Sequence, residues 1–305
     1  LNFYLNLNTY YYSLITALLI SILFYKISAI KTKYSVFDKI LTVFIGYVLI
    51  PLVLSIPFYF SIYNLTFLNS YFETISGFTS TGFTIFENIK HLDQSLIIWR
   101  SSTQWIGGLY FLFSIVLLID IFDNNLKKSL TNFIGFDISE TFKQSFKILI
   151  LYSLLTFSIF LILKIFNFRT FDSFNLSMTL ISSGGFLPFN NLSLVINSNI
   201  KEVIFSLLML LSFFSIFLTY NLIFLKNKNI NFFQEDIYLF FYLIGLIIVF
   251  FSFLNFELDF SLLLFSLASS VSNIGFSLEN SSTSLSFLFL ILVIIGGSFF
   301  STSSG

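Results

Sequence analysis

The residues in this chain best suited to chemistry are small, hydroxylated and glycine-rich, and they stand between apolar runs. Tyr71 to Gly108 opens with Y-F-E-T-I-S-G-F-T-S-T-G-F-T-I-F and closes with W-R-S-S-T-Q-W-I-G-G. A run such as Thr79-Ser80-Thr81-Gly82-Phe83-Thr84 makes a poor membrane helix, because Gly82 permits backbone angles that a side chain forbids. Irregular backbone at membrane depth is tolerated only inside protein or along a water-filled path. The stretch reads as a short helix that dips in from one face, stops halfway and returns as bare backbone. Its carbonyl oxygens would line a cation path, since such oxygens can replace an ion's hydration shell. The chemistry expected is coordination, not bond making.

Composition leaves little room for other chemistry. Of 305 residues, 56% are hydrophobic and 10% charged, and the mean hydropathy of +0.92 points to a membrane protein. With 15 basic and 15 acidic residues the net charge is zero, which gives no electrostatic support for nucleic acid as a partner. No cysteine is present, so disulfides, thiol catalysis and cysteine metal sites are excluded. His91 is the one histidine and makes no metal site alone. The carboxylates have no convergent base beside them, so the chain is not read as an enzyme. No covalent cofactor is expected.

Apolar spans are expected at 9–29, 40–62, 105–122, 146–166, 202–225, 237–256 and from about 285. Pro51 and Pro57 are expected to kink the second. The chain opens on Leu1, with neither a basic n-region nor an A-x-A site, so its first span is not read as a signal peptide. Leu1 itself reads as an internal residue of a longer protein. Lys26, Lys31, Lys33, Lys39, Lys127, Lys128, Lys143, Lys147, Lys226 and Lys228 make up ten of the 15 basic residues, and all fall in 26–39, 123–147 and 226–236. By the positive-inside rule those segments are cytoplasmic. The outer side then carries Glu73, Glu87, Asp93, Asp172, Glu257, Asp259 and Glu279, an acidic mouth that would concentrate cations.

Two later segments repeat the first: Thr179-Leu180-Ile181-Ser182-Ser183-Gly184-Gly185-Phe186 and Ser269-Ser270-Val271-Ser272-Asn273-Ile274-Gly275-Phe276. Each ends on Gly-Phe and lies between an incoming and an outgoing span, so the unit is helix, pore segment, helix. Glu73, Asp172 and Asp259 are expected ahead of the three short helices, where acids suit the macrodipole. Gly and Ser in membrane helices ordinarily serve close packing, but three such clusters in register argue for a shared path. The expected fold is an all-α polytopic membrane protein of repeated helix–pore loop–helix units around a pseudo-fourfold pore, ending after the third. The divisions expected are 1–37 (an extra helix and cytoplasmic loop), 38–125, 126–228 and 229–305.

These residues resemble the Trk/Ktr/HKT superfamily of potassium uptake proteins, in particular the membrane subunit of bacterial Trk systems. F-E-T-I-S-G-F-T-S-T-G-F-T is similar to the first pore region, W-R-S-S-T-Q-W-I-G-G to its sequel, S-S-G-G-F at 182–186 to the second pore region and, more loosely, S-N-I-G-F-S at 272–277 to the third. G-G-S-F-F-S-T-S-S-G at 296–305 resembles a loop that interrupts a helix and gates the pore within the membrane. The resemblance covers about 38–305 and implies potassium passage through a filter of four non-identical loops; the fourth is absent here. It assigns ion binding to Ser80, Thr81, Gly82, Ser183, Gly184, Gly185, Asn273, Ile274 and Gly275. It assigns the gate to Gly296, Gly297, Ser298, Ser301 and Thr302. It further implies K+ as cargo, with Na+ or H+ as other candidates, a homodimer, a cytosolic nucleotide-binding regulatory subunit and the bacterial inner (plasma) membrane. Two other readings stay open: a secondary transporter of another fold, and a non-conducting membrane fragment.

The charge pattern makes a topological prediction. Cysteines placed at Lys128 and Lys90 should differ toward an impermeant thiol reagent added outside, with position 90 labelled and 128 protected. The opposite labelling would reverse the orientation.

Overall fold

The computed structural model describes residues 7–28, 35–118, 141–216, 234–253, 259–278, 286–295, 297–298 and 301–303. These residues are helices and connecting turns, with no strand among them. In chain order the helices are α1 (Leu7–Ser28), α2 (Val36–Leu54), α3 (Ile56–Tyr59), α4 (Phe67–Phe78), α5 (Gln94–Leu117), α6 (Thr141–Ile165), α7 (Thr170–Ser182), α8 (Asn199–Phe213), α9 (Gln234–Phe253), α10 (Phe260–Val271) and α11 (Ser286–Ile295). Leu7–Lys26, Val36–Tyr59 and Ser145–Ile165 are long and apolar enough to cross a membrane. Most of the segments expected to be cytoplasmic lie outside the described residues.

Local sequence sets the helix ends. Ser35 and Asp38 form a reciprocal capping box at the start of α2. Thr66 and Ser198 accept the backbone N–H of Asn69 and Lys201 and cap α4 and α8. Pro51 sits inside α2, whose run ends at Ser55, and Pro57 stands in the first turn of α3, where its missing N–H costs nothing. The second expected span is thus two helices joined at a turn.

Three short helices, α4, α7 and α10, stop on the motifs singled out above. Packing follows one rule twice: α5, the outgoing helix of the first unit, lies on α7, and α8, the outgoing helix of the second, lies on α10. The main core joins Leu112, Tyr152, Leu155, Leu176, Phe205 and Phe265 across these units. Within the first unit α5 crosses α4 closely enough that a Cβ on Gly107 would overlap the Phe78 carbonyl.

Two expectations are corrected. The third span begins at Gln94 rather than Trp105, so W-R-S-S-T-Q-W is helical and Arg100 is buried inside α5 instead of standing just outside it. Glu73 does not precede its short helix: α4 starts at Phe67, and Glu73 lies fully buried in its second half. Asp172 is in the first turn of α7 and Asp259 is the N-cap of α10, so the three acids are not equivalent. Thr66 caps α4 and sets its start upstream of the acid.

Gly107→Ala should lower stability by ~1–3 kcal/mol, because helix backbone, unlike a side-chain tip, does not yield to an added methyl. Gly245→Ala, where a Cβ meets nothing within 4 Å, should leave the thermal midpoint in detergent unchanged. Equal midpoints for the two variants would refute the close crossing.

Candidate functional site

The three Gly-Phe segments trace one backbone path. Ser80, Ser183 and Asn273 have φ of 54°, 56° and 57°, and two residues on Gly82, Gly185 and Gly275 have φ of 79°, 89° and 76°. The second left-handed position falls on glycine each time, as the missing Cβ requires. The first is tolerated in Ser and Asn because each of those side chains finds an acceptor, described below.

Hydrogen bonds repeat with the path. The backbone N–H of Thr81, Gly184 and Ile274 donates to the carbonyl of Ser76 (2.9 Å), Thr179 (2.9 Å) and Ser269 (3.2 Å). The hydroxyls of the same three residues donate forward to Phe83 O (2.6 Å), Phe186 O (3.0 Å) and Phe276 O (2.6 Å). Each Gly-Phe carbonyl is thereby tied back to its own short helix. Among the described residues, the carbonyls of Ser80, Thr81, Gly82, Ser183, Gly184, Gly185, Ile274 and Gly275 accept no hydrogen bond. Of these residues Ser183, Gly184 and Ile274 are buried; a buried carbonyl without a donor is costly, and a cation is a partner that would offset that cost.

The segments also meet one another by a repeated step. Ser80 Oγ donates to Ser182 O (2.9 Å), Ser183 Oγ donates to Ser272 O, and Asn273 Nδ2 donates to Ser303 O (3.0 Å). The first two bonds satisfy carbonyls left open at the C-terminus of the next short helix. A Cβ on Gly82 would sit 3.1 Å from Gly184 O, and one on Gly185 would sit 2.9 Å from Ile274 O. Gly82 and Gly185 thus face the middle carbonyl of the following segment, while a Cβ on Gly275 would meet nothing within 4 Å among the described residues. The nine residues expected to bind an ion are brought together in this way. The C-terminal ends of α4, α7 and α10 converge there too, and their partial negative charge favours a cation.

Of the expected gate residues, Gly296 lies outside the described residues. Ser298 N donates to Phe213 O (2.9 Å) and Ser303 N to Ser212 O (3.3 Å), which holds this segment on the end of α8. Thr302 Oγ1 donates to Ile181 O (2.7 Å), at the C-terminus of α7. Gly297 and Ser298 therefore lie against the end of α8, and Thr302 against the end of α7.

An unpartnered charge at the depth of Arg100 is expensive, so a carboxylate or backbone carbonyls are expected beside it; what sequence reading missed is that Glu73 supplies the carboxylate and that the pair braces the first segment. Arg100 Nε donates to Glu73 Oε1 at 2.7 Å, with both side chains fully buried. Glu73 also accepts from Thr84 Oγ1 (2.9 Å) and Ile85 N (2.9 Å), and Arg100 donates to Thr84 Oγ1 (3.0 Å) and Leu187 O (3.4 Å). The guanidinium lies 4.3 Å from the centre of the Phe186 ring. One cation thus joins the returning limbs of the first and second segments. The acidic mouth is correspondingly smaller than expected, because Glu73 is inside and Asp172 is nearly buried. Ser76, Thr179 and Ser269 were also missed; their signal was a hydroxyl seven residues ahead of every Gly-Phe phenylalanine.

No protein-family model matches the chain. It is 29% identical over 265 residues to an uncharacterized cation transporter of Methanocaldococcus jannaschii, covering 82% of this chain and 53% of that protein. It is 28% identical over 199 residues to the Trk system potassium uptake protein TrkG of Escherichia coli (61% and 40%). With TrkH of Halomonas elongata it shares 27% over 254 residues (77% and 52%). The chain spans about half the length of the curated relatives it matches. Its fold is similar to that of the potassium transporter TrkH from Vibrio parahaemolyticus, with a TM-score of 0.73 at 19% identity, covering 89% of this chain and 58% of that one.

Removing one member of the buried pair leaves an uncompensated charge, at a cost of ~3–5 kcal/mol. Arg100→Met alone should sharply reduce folded yield and thermal midpoint, whereas Arg100→Met with Glu73→Gln should recover part of both. A double variant no better than the single would show that the two side chains are not coupled.

Proposed function

We propose that this chain, a relative of the Trk-type potassium uptake proteins in sequence and fold, is the membrane subunit of a monovalent-cation uptake system, with K+ passing through a channel-like pore. The observation that carries the reading is the threefold recurrence of one backbone path, along which the carbonyls of Ser80, Thr81, Gly82, Ser183, Gly184, Gly185, Ile274 and Gly275 accept no hydrogen bond among the described residues. The ion ligands would be the backbone oxygens of Ser80–Gly82, Ser183–Gly185 and Asn273–Gly275. The units would be 38–125, 126–228 and 229–305, with 1–37 as an added helix and loop. The segment from Gly296 to Thr302 would gate the path: of its described residues, Ser298 bonds to Phe213 O at the end of α8 and Thr302 to Ile181 O at the end of α7, and their displacement would open the way to the cytoplasm. A homodimer in the bacterial inner membrane, regulated by a cytosolic nucleotide-binding subunit, is the assembly that accompanies this reading.

The test is cation uptake by the complete protein in a bacterium lacking its own potassium uptake systems. Growth at low potassium, with uptake of K+ preferred over Na+, is the expected result. Gly82→Ser places a Cβ at a left-handed backbone position and 3.1 Å from Gly184 O, so it should displace that oxygen. Discrimination between K+ and Na+ should fall while the amount of folded protein stays near normal. Unchanged selectivity in Gly82→Ser would sink the filter assignment.

A further inference from the structure

The three segments differ at their middle residue, which is Thr81 in the first, Gly184 in the second and Ile274 in the third. Neither the left-handed region nor a tight turn explains glycine at 184, because its φ lies outside that region, unlike those of Gly82 and Gly185. What fills the missing side chain's place is Gln104, from α5 of the preceding unit. A Cβ on Gly184 would overlap the Gln104 carboxamide carbon and lie 2.7 Å from its Nε2. Gln104 is fully buried, and its amide is laid flat behind the second segment.

The hydrogen-bond arithmetic there is instructive. Thr179 Oγ1 lies 2.9 Å from Gln104 Oε1 and 3.0 Å from Phe186 O, while Gln104 Nε2 has no partner. A hydroxyl carries one hydrogen and cannot donate to both oxygens. In the equivalent positions Ser76 and Ser269 donate to Phe83 O and Phe276 O. By that register the Thr179 hydrogen belongs to Phe186 O. The amide must then present its other end, with Nε2 as donor to Thr179 Oγ1. The two ends of a carboxamide have the same shape and are assigned from their bonding network. This assignment gives Nε2 its acceptor and leaves no oxygen facing oxygen.

We propose that Gln104 is a positioning residue for ion selectivity: it donates to Thr179 Oγ1, which holds Phe186 O back and so aims the Gly184 and Gly185 carbonyls at the ion path. This rests on the filter reading above. Thr179 is polarised by the amide and makes the stronger donor for it, and the aim of the second segment depends on a helix of the first unit. The first and third segments hold their phenylalanine carbonyl with a serine alone.

The experiment uses the complete protein, purified and reconstituted in liposomes, with K+ and Na+ uptake measured per folded molecule. Gln104→Met keeps the volume and removes the donor. It should fold normally and lose about tenfold in K+ over Na+ preference, which is the scale of one buried hydrogen bond. A residue that merely fills space predicts unchanged preference in Gln104→Met, and that result would overturn the proposal. Thr179→Val removes the link to Gln104 together with the bond to Phe186 O and should show at least as large a loss, while Thr179→Ser keeps the hydroxyl and should retain the preference. If Gln104→Met does not fold, that pair decides: equal preference in Thr179→Val and Thr179→Ser rejects the proposal. Failure of the filter reading is seen separately, as a wild-type protein that does not prefer K+.

Discussion

Backbone that leaves a helix inside a bilayer must find partners for its polar groups, and the structure meets this constraint with one repeated bond. A hydroxyl near the end of each short helix donates to the carbonyl of the phenylalanine seven residues on, as Ser76, Thr179 and Ser269 do. That bond pulls one carbonyl back toward the helix. Of the carbonyls just before it, those of Ser80, Thr81, Gly82, Ser183, Gly184, Gly185, Ile274 and Gly275 accept no hydrogen bond among the described residues. An apolar residue at any of the three hydroxyl positions would leave the phenylalanine carbonyl buried and unsatisfied. The glycine two residues past the first left-handed turn belongs to the same device, since only there does the strand reverse its peptide planes without a Cβ in the way.

The units share this device but are braced differently from behind. The first uses the buried ion pair of Glu73 and Arg100, in a place where the second, by register, has Leu176 and the third Ser266. A buried ion pair is weak evidence of net stability, because desolvation of both charges opposes their attraction. Its value lies in connection: Arg100 reaches Thr84 of its own unit and Leu187 of the next. The second unit is braced by Gln104, which again belongs to the unit before it. Positioning in this protein therefore passes from α5 to the segment that follows, along the same contact by which α5 packs on α7.

The terminal segment completes the ring of contacts on the third unit. Asn273 donates to Ser303 O as Ser80 donates to Ser182 O and Ser183 to Ser272 O. A stretch with the composition of a flexible loop thus supplies an acceptor at the place where the earlier units supply a short-helix carbonyl. A Cβ on Gly275 beyond it would meet nothing within 4 Å among the described residues.

The amino-acid sequence by itself pointed to the membrane class and to the three Gly-Phe segments that share one backbone path. Apolar length, hydroxyl clustering and glycine requirements are local properties, so they can be read along the chain. The start of α5 was not legible, because Arg100 between Trp99 and Trp105 also fits an interfacial anchor, and only the fold brings Glu73 against Arg100 and Thr179 against Gln104. The role of Glu73 was misread for the same reason: an acid near a helix start is ordinarily a cap, and only the returning limb at Thr84 and Ile85 supplies the donors that draw it inside. Gly184 reads in the sequence as one of the expected ion-binding residues, yet its lack of a side chain is required by the volume of a side chain 80 residues earlier in the chain. What tertiary structure decided, then, is which polar groups face each other across units. In a medium without water those pairings are settled by which partners the packing brings within reach.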